Sequence, residues 1–252
     1  MIGILDSGSG GLTVMRAIRE ELPSSDIVYF GDIKNAPYGS KSRKKLSQLT
    51  VEAIRLLQNH NAQRIVSACN SVSASLAISL LDAGALKAEA VIEMVGPTVS
   101  YFRNVDARVA ICATKATIQS GMYENAFHMT GKEIISIPIP DLAKAIEFGA
   151  NEAEMKKMIS EALQPHQDKF DVLILACTHY PLVISLFTEA VGEEVTIFDP
   201  AYAVAERAEK LFWPQEAGYG TTKFLVTAQS DQFEHYVTEL FPGLTYEIEV
   251  VE

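Results

Sequence analysis

Cysteine is scarce in this chain: 252 residues hold three, Cys69, Cys112 and Cys177. They are too few and too far apart for a disulfide framework or a four-ligand zinc site, so no metal centre is expected. Long apolar runs are missing too. Two stretches of 17 residues, 65–81 and 172–188, lack Asp, Glu, Lys and Arg, but polar residues interrupt both and neither reaches the length of a bilayer span. Basic residues are outnumbered, 21 against 32 acidic ones, for a net charge of -11. That balance works against binding to nucleic acid or to an anionic membrane surface. A small anionic ligand would need donors placed locally. The opening Met1-Ile2-Gly3-Ile4-Leu5-Asp6 has no basic stretch ahead of a long apolar core, so a secretory signal is not expected. The expected location is the cytoplasm, where the three thiols stay reduced.

Apolar residues make up 48% and charged residues 21%, values of an ordinary folded protein rather than a disordered one, and the length suits one large or two small domains. Short apolar runs alternate with longer amphipathic stretches, the pattern of an α/β fold whose mostly parallel sheets are joined by crossover helices. The runs predict strands at Ile2–Leu5, Ile27–Phe30, Arg64–Ala68, Ala90–Met94, Arg108–Cys112, Glu133–Ile137, Asp171–Ala176, Val195–Phe198, Thr222–Thr227 and Thr245–Val250. Apolar residues three and four apart predict helices over Leu12–Glu21, Arg43–His60, Asn151–Leu163 and Tyr202–Phe212.

The two charge-free stretches resemble each other. Each is an apolar strand ending in Ala-Cys, then Asn or Thr, then a helix-like segment. Their cysteines lie 108 positions apart, and Ser7 after the first strand lies 107 positions before Thr114. We read this as an internal duplication giving two pseudo-symmetric open α/β domains, 1–95 with 205–252 and 96–204, the best break being Gly96-Pro97. Each half would place a cysteine at the carboxyl end of a parallel strand, the edge where such sheets bind ligands. Facing one another, the halves would frame a cleft with two thiols.

An isolated cysteine is more often simply buried than reactive. Cys112, inside Val109-Ala110-Ile111-Cys112, fits that reading. Cys69 in Ala68-Cys69-Asn70-Ser71 and Cys177 in Ala176-Cys177-Thr178-His179 sit instead where a strand gives way to a helix start, whose dipole would lower a thiol pKa. His179, two residues from Cys177, can take up or return a proton there. Asp6, in Asp6-Ser7-Gly8-Ser9-Gly10-Gly11, can cap the turn or stand in the cleft as an acid or base. Its glycines do not form GxGxxG, so a dinucleotide site is not indicated. Pro37-Tyr38-Gly39 forms a turn at the same sheet edge.

Taken together, Asp6-Ser7-Gly8 with Gly10-Gly11-Leu12-Thr13-Val14, Tyr29-Phe30-Gly31-Asp32, Pro37-Tyr38-Gly39, Ala68-Cys69-Asn70-Ser71 and Cys177-Thr178-His179-Tyr180-Pro181-Leu182 resemble the glutamate racemases of the aspartate/glutamate racemase superfamily, in order, spacing and length from end to end. Thr114 and Thr117 fall at that family's threonine-rich turn, and Glu147 at an acidic position. The resemblance implies a cofactor-independent two-base racemase acting on glutamate, a homodimer, supplying D-glutamate for peptidoglycan. It assigns Cys69 to the proton of D-glutamate and Cys177 to that of L-glutamate, assisted by Asp6 and His179 respectively. It further implies that Asp6, Ser7, Tyr38, Gly39, Asn70, Ser71, Thr178 and His179 bind substrate, with Thr114 and Thr117 nearby. Three positions depart from the pattern: Ser71 stands for the customary threonine, Pro200 for a serine, and Cys112 where glycine is common.

The chemistry fits two thiols. Inverting a stereocentre requires a proton to leave one face of Cα and another to arrive on the opposite face, so one base and one acid must flank the substrate. The α-proton is far less acidic than a thiol near pKa 8.5. Its removal therefore needs hydrogen bonds to the charge growing on the carboxylate, and exclusion of water. Rival readings keep the scaffold and change the substrate to aspartate, change the reaction to isomerisation or decarboxylation, or make the chain a non-catalytic regulator. Two thiols favour racemisation, because a one-sided proton transfer needs only one.

Overall fold

A computed structural model describes residues 1–73 and 90–251. Among the described residues ten strands form two sheets: β1 Ile2–Asp6, β2 Ile27–Gly31, β3 Arg64–Ser67, β4 Val91–Ile92, β5 Val109–Ala113, β6 Ile134–Pro138, β7 Val172–Ala176, β8 Thr196–Phe198, β9 Thr222–Val226 and β10 Glu247–Val250. The first sheet runs β10-β9-β2-β1-β3-β4 and the second β6-β5-β7-β8. Every strand pair among the described residues is parallel. The central strands β1, β2, β5 and β7 are buried along their whole length, which is why they read as continuous apolar runs rather than as alternating ones.

The duplication shows in the topology. The order β2-β1-β3-β4 of the first sheet recurs as β6-β5-β7-β8 in the second. Register repeats as well: Ile2 pairs with Ile27 and Val109 with Ile134, each 25 positions on. The thiols and turns that follow β1, β3, β5 and β7 therefore all lie at carboxyl edges of parallel strands.

Helices cover the sheets. Leu12–Glu21 buries Leu12, Val14, Met15, Ala17 and Ile18 and packs along Pro200–Phe212, whose buried stripe is rich in alanine (Ala201, Ala203, Ala205 and Ala208) and lets the two backbones approach. That second helix starts where its sequence says it should. Asp199 accepts the Ala201 N–H at 2.9 Å, and Pro200 occupies the first turn, where its missing N–H costs nothing. The departure at Pro200 is thus a helix-start feature. One apolar cluster runs through both sheets, from Ile4 and Tyr29 to Cys112, Leu175 and Phe187, each such side chain contributing about 1.5–3 kcal/mol on burial.

The break at Gly96-Pro97 falls within helix Val95–Phe102. Proline is tolerated in a first turn, and the Glu93 carboxylate accepts the N–H groups of Val95 and Gly96, both at 2.6 Å. The proposed division after residue 204 likewise falls within helix Pro200–Phe212. After Cys69 the chain is helical from Asn70, and the rest of the helix-like segment expected there lies outside the described residues.

Candidate active site

Cys69 follows β3 by two residues and Cys177 follows β7 directly, so the matching strands of the two sheets deliver both thiols to one place. A single cavity is lined by Ser7, Tyr38, Gly39, Cys69, Asn70, Ser71, Thr114, Cys177, Thr178 and His179, with Pro37 and Ala143 completing its wall. It is almost closed to solvent: none of the two thiols, Asn70, Thr178 and His179 is more than 5% exposed. A larger cavity between residues 91–101 and helix Pro200–Phe212 holds none of these groups. Two of the expected site residues stand behind the wall. Asp6 sits beneath Thr178, and Thr117 behind Thr114.

The Cys177 side is built around a buried ion pair. His179 Nε2 lies 2.6 Å from Glu147 Oε2, the two side chains being 2% and 1% exposed. Ser9 secures the same carboxylate through its N–H at 2.9 Å and its hydroxyl at 3.2 Å. Burial alone would push the Glu147 carboxyl up, but the His179 and Ser9 donors bring it below its ordinary range. Burial would pull His179 down, yet its bonds to Cys177 and Glu147 and the Glu147 charge raise it well above 6.5. The pair thus favours the imidazolium form of the ring, whose Nδ1 lies 4.0 Å from Cys177 Sγ. Cys177 is not at an α-helix start. Pro181 lies in a 3-10 turn, Tyr180–Val183, and the α-helix begins only at Ile184.

The Cys69 side differs. Its Sγ donates to Ser7 Oγ at 3.8 Å. Burial, and then the nearby Asp6 charge, push this thiol up to about 12, outweighing its hydrogen bonds with Ser7 and the Val72 backbone. The expectation that a helix start would lower it is overturned, because desolvation exceeds the dipole of one turn. Asp6 accepts the Gly8 N–H at 3.0 Å and the Thr178 hydroxyl at 3.1 Å, so it acts on Cys69 through charge and ties the two halves together. Burial raises the Asp6 carboxyl, against the pull of His179 and the Gly8 and Gly11 N–H groups.

Three hydroxyls close the floor: Ser71 lies 3.1 Å from Thr114 and 3.4 Å from Thr117, which are 3.0 Å from each other. Tyr38 donates to Asp32 at 2.7 Å, and Asp32 also accepts from Asn35 and Thr227, so the Pro-Tyr-Gly turn is fixed from below. Gly39 presses on Thr114 so closely that a Cβ would come within 2.8 Å of it. Cys112 stands apart, unexposed within β5, its thiol raised by burial alone. Sequence reasoning gave Glu147 no role. The available signal was an acid in the apolar run Leu142-Ala143-Lys144-Ala145-Ile146-Glu147-Phe148, where burial demands a partner. Among the described residues no group of three or more His, Cys, Asp and Glu side chains is placed to hold a metal ion, and no helix is long and apolar enough to cross a membrane.

Known proteins resemble this chain in sequence and in fold. The family model described as Asp/Glu/Hydantoin racemase matches residues 2–208. A glutamate racemase of Lactococcus lactis is 36% identical over 201 residues, 79% of this chain and 74% of that protein. The crystal structure of glutamate racemase isoform RacE1 from Bacillus anthracis superposes with a TM-score of 0.88 at 30% identity, covering 100% of this chain and 97% of the other. That of the Francisella tularensis glutamate racemase in complex with D-glutamate gives 0.87 at 29% identity, with the same coverage.

Proposed function

The chain belongs to the Asp/Glu/Hydantoin racemase family, and we propose that it interconverts L- and D-glutamate by passing protons between Cα and two protein thiols. The observation that carries this reading is the presence of Cys69 and Cys177, delivered by equivalent strands, in one water-poor cavity. One thiol, ionised, takes the α-proton from one face while the other, protonated, donates from the opposite face. Cys69 serves D-glutamate and Cys177 serves L-glutamate. His179, held as a cation by Glu147, takes part in proton exchange at Cys177, and Asp6 sets the charge around Cys69. The Ser71 and Thr114 hydroxyls, backed by Thr117, together with Asn70 and the Tyr38-Gly39 turn hold the substrate carboxylates. Because the lining is buried, the halves must part for substrate to enter and close before reaction. The sheets support a division into 1–95 with 205–252 and 96–204. The reading extends to a cytoplasmic homodimer that needs no cofactor and supplies D-glutamate for peptidoglycan, which light scattering of the purified protein tests as to oligomeric state.

Incubation of the protein with each enantiomer of glutamate and of aspartate, followed by chiral chromatography, tests the reading. Racemisation of glutamate supports it, while turnover of aspartate alone, or of neither, refutes it. In deuterium oxide a two-base mechanism makes a sharper demand. Product should carry one α-deuterium, because the donating thiol exchanges with solvent, whereas substrate recovered early should carry almost none. Equal labelling of both would mean a single base.

Gly10 gives a further expectation. A Cβ there would lie 2.5 Å from His179 Nδ1 and 2.6 Å from Thr178 Oγ1, so Gly10→Ala must displace the histidine. Displacements of about 1 Å cost on the order of a hundredfold in rate. Activity assays should show that loss, and full activity would mean His179 is not needed where it stands.

A further inference from the structure

Tyr123 belongs to helix Met122–His128 of the second half and is unexposed. Its O–H donates across the cleft to Asn70 Oδ1 at 2.6 Å. Asn70 is 4% exposed and lines the cavity directly after Cys69. Its Nδ2 is buried and has no hydrogen-bond partner among the described residues. An amide has an accepting end and a donating end. By engaging the oxygen, the phenol decides that the nitrogen is the end left over. A buried donor without a partner opposes folding, so a site that keeps one reserves it for an acceptor brought by a ligand.

We propose that Tyr123 is a positioning residue for racemisation, holding the Asn70 amide so that Nδ2 donates to the α-carboxylate of the substrate. This rests on the glutamate racemase reading. Asn70 adjoins the thiol that faces Cα, which places its donor beside the carboxylate attached to the reacting carbon. The Ser71, Thr114 and Thr117 hydroxyls, in contrast, already bond one another. When the α-proton leaves, its electron pair spreads onto that carboxylate, and a donor fixed beforehand is worth most at that moment. Burial holds the Tyr123 phenol far above its usual range, so it remains a donor at every pH used for assay. Because the bond joins the two halves, the amide is oriented only when the cleft is closed.

The test uses the purified full chain with glutamate as substrate. Tyr123→Phe keeps the ring and removes the donor. It should lower kcat about tenfold with KM changed little, since Asn70 can then turn its amide, while Asn70→Ala should lower kcat about a hundredfold. The double variant should match Asn70→Ala alone, because Tyr123 acts only through the amide. Unchanged kcat in Tyr123→Phe, a loss confined to KM, or multiplying effects in the double variant would overturn the proposal. Asn70→Asp supplies a check independent of Tyr123. It preserves shape and replaces the donor with an oxygen, so it should be as slow as Asn70→Ala, and near-normal kcat would again overturn the proposal. Failure of the wild-type protein to racemise glutamate would instead remove the functional reading beneath it.

Discussion

Replacing either Cys69 or Cys177 by serine is expected to lower racemisation at least about a thousandfold, the scale of losing a positioned acid–base group. Serine keeps the size and a hydroxyl, but an alkoxide is not formed near neutral pH, so neither proton abstraction nor its reverse proceeds on that face. The two losses should not multiply in the double variant, because inversion needs both groups and removing one already stops the cycle. Cys112→Ser is the control. Its thiol lies in the interior of β5 without exposure, and a hydroxyl there loses its hydration, costing about 1–3 kcal/mol of stability. Thermal melts should show that cost while kcat stays unchanged. Comparable kcat in Cys69→Ser and wild type would sink the two-thiol reading. A large activity loss in Cys112→Ser without a drop in melting temperature would mean that the wrong cysteine had been discounted.

The strands were legible because burial on both faces writes itself as an apolar run. Val172–Ala176 and Ile2–Asp6 need no alternation, and the helix Leu12–Glu21 has the same ends in sequence and structure. The duplication was legible for the same reason, since Ala68-Cys69 and Ala176-Cys177 end equivalent strands. Gly96-Pro97 lies between the last described strand of one sheet run and the first of the other, yet its dipeptide opens a helix there because an acid, Glu93, lies just before it. Within the site, the residues at strand ends could be found from local sequence. Their partners could not. Glu147 and His179 lie 32 positions apart, and Asp6 and Thr178 lie 172 apart. Burial in the closed cleft, and after it the charge of a residue as distant in sequence as Asp6, also decides titration, which is why Cys69 is raised and not lowered. Cross-cleft bonds are a property of how the halves meet, and local patterns carry no record of that.

The Glu147–His179 pair yields the other large effect. Glu147→Gln keeps an oxygen for His179 Nε2 and removes the charge that holds the ring as a cation. Burial, which already pulls this imidazole down, is then opposed mainly by Cys177, and the cationic form of the ring is weakened. Removing one member of a buried pair costs about 3–5 kcal/mol, and retention of the hydrogen bond should hold the stability loss to the lower end of that range. Its pH dependence follows from the two shifts. Glu147 is depressed below 4.5, so its contribution is present above that value and fades as pH falls through the folded pKa. His179 is raised above 6.5, so its contribution is complete below that value and fades as pH rises through the folded pKa. The deficit of Glu147→Gln in denaturant titrations should therefore be greatest between about pH 4.5 and 6.5 and shrink in alkali. Catalytically, a drop in kcat of about a hundredfold is expected, the low end of the range for general acid–base groups. Because racemisation has an equilibrium constant of one, kcat/KM must remain equal in the two directions. Asymmetry can appear only in kcat, in KM and in primary isotope effects measured with α-deuterated L- and D-glutamate. Glu147→Gln should share its isotope pattern with His179→Asn, which disturbs the Cys177 face, and differ from Asp6→Asn, which disturbs the Cys69 face. A deficit independent of pH would refute the ion pair, and one common isotope pattern for all three variants would refute the assignment of His179 and Asp6 to opposite faces.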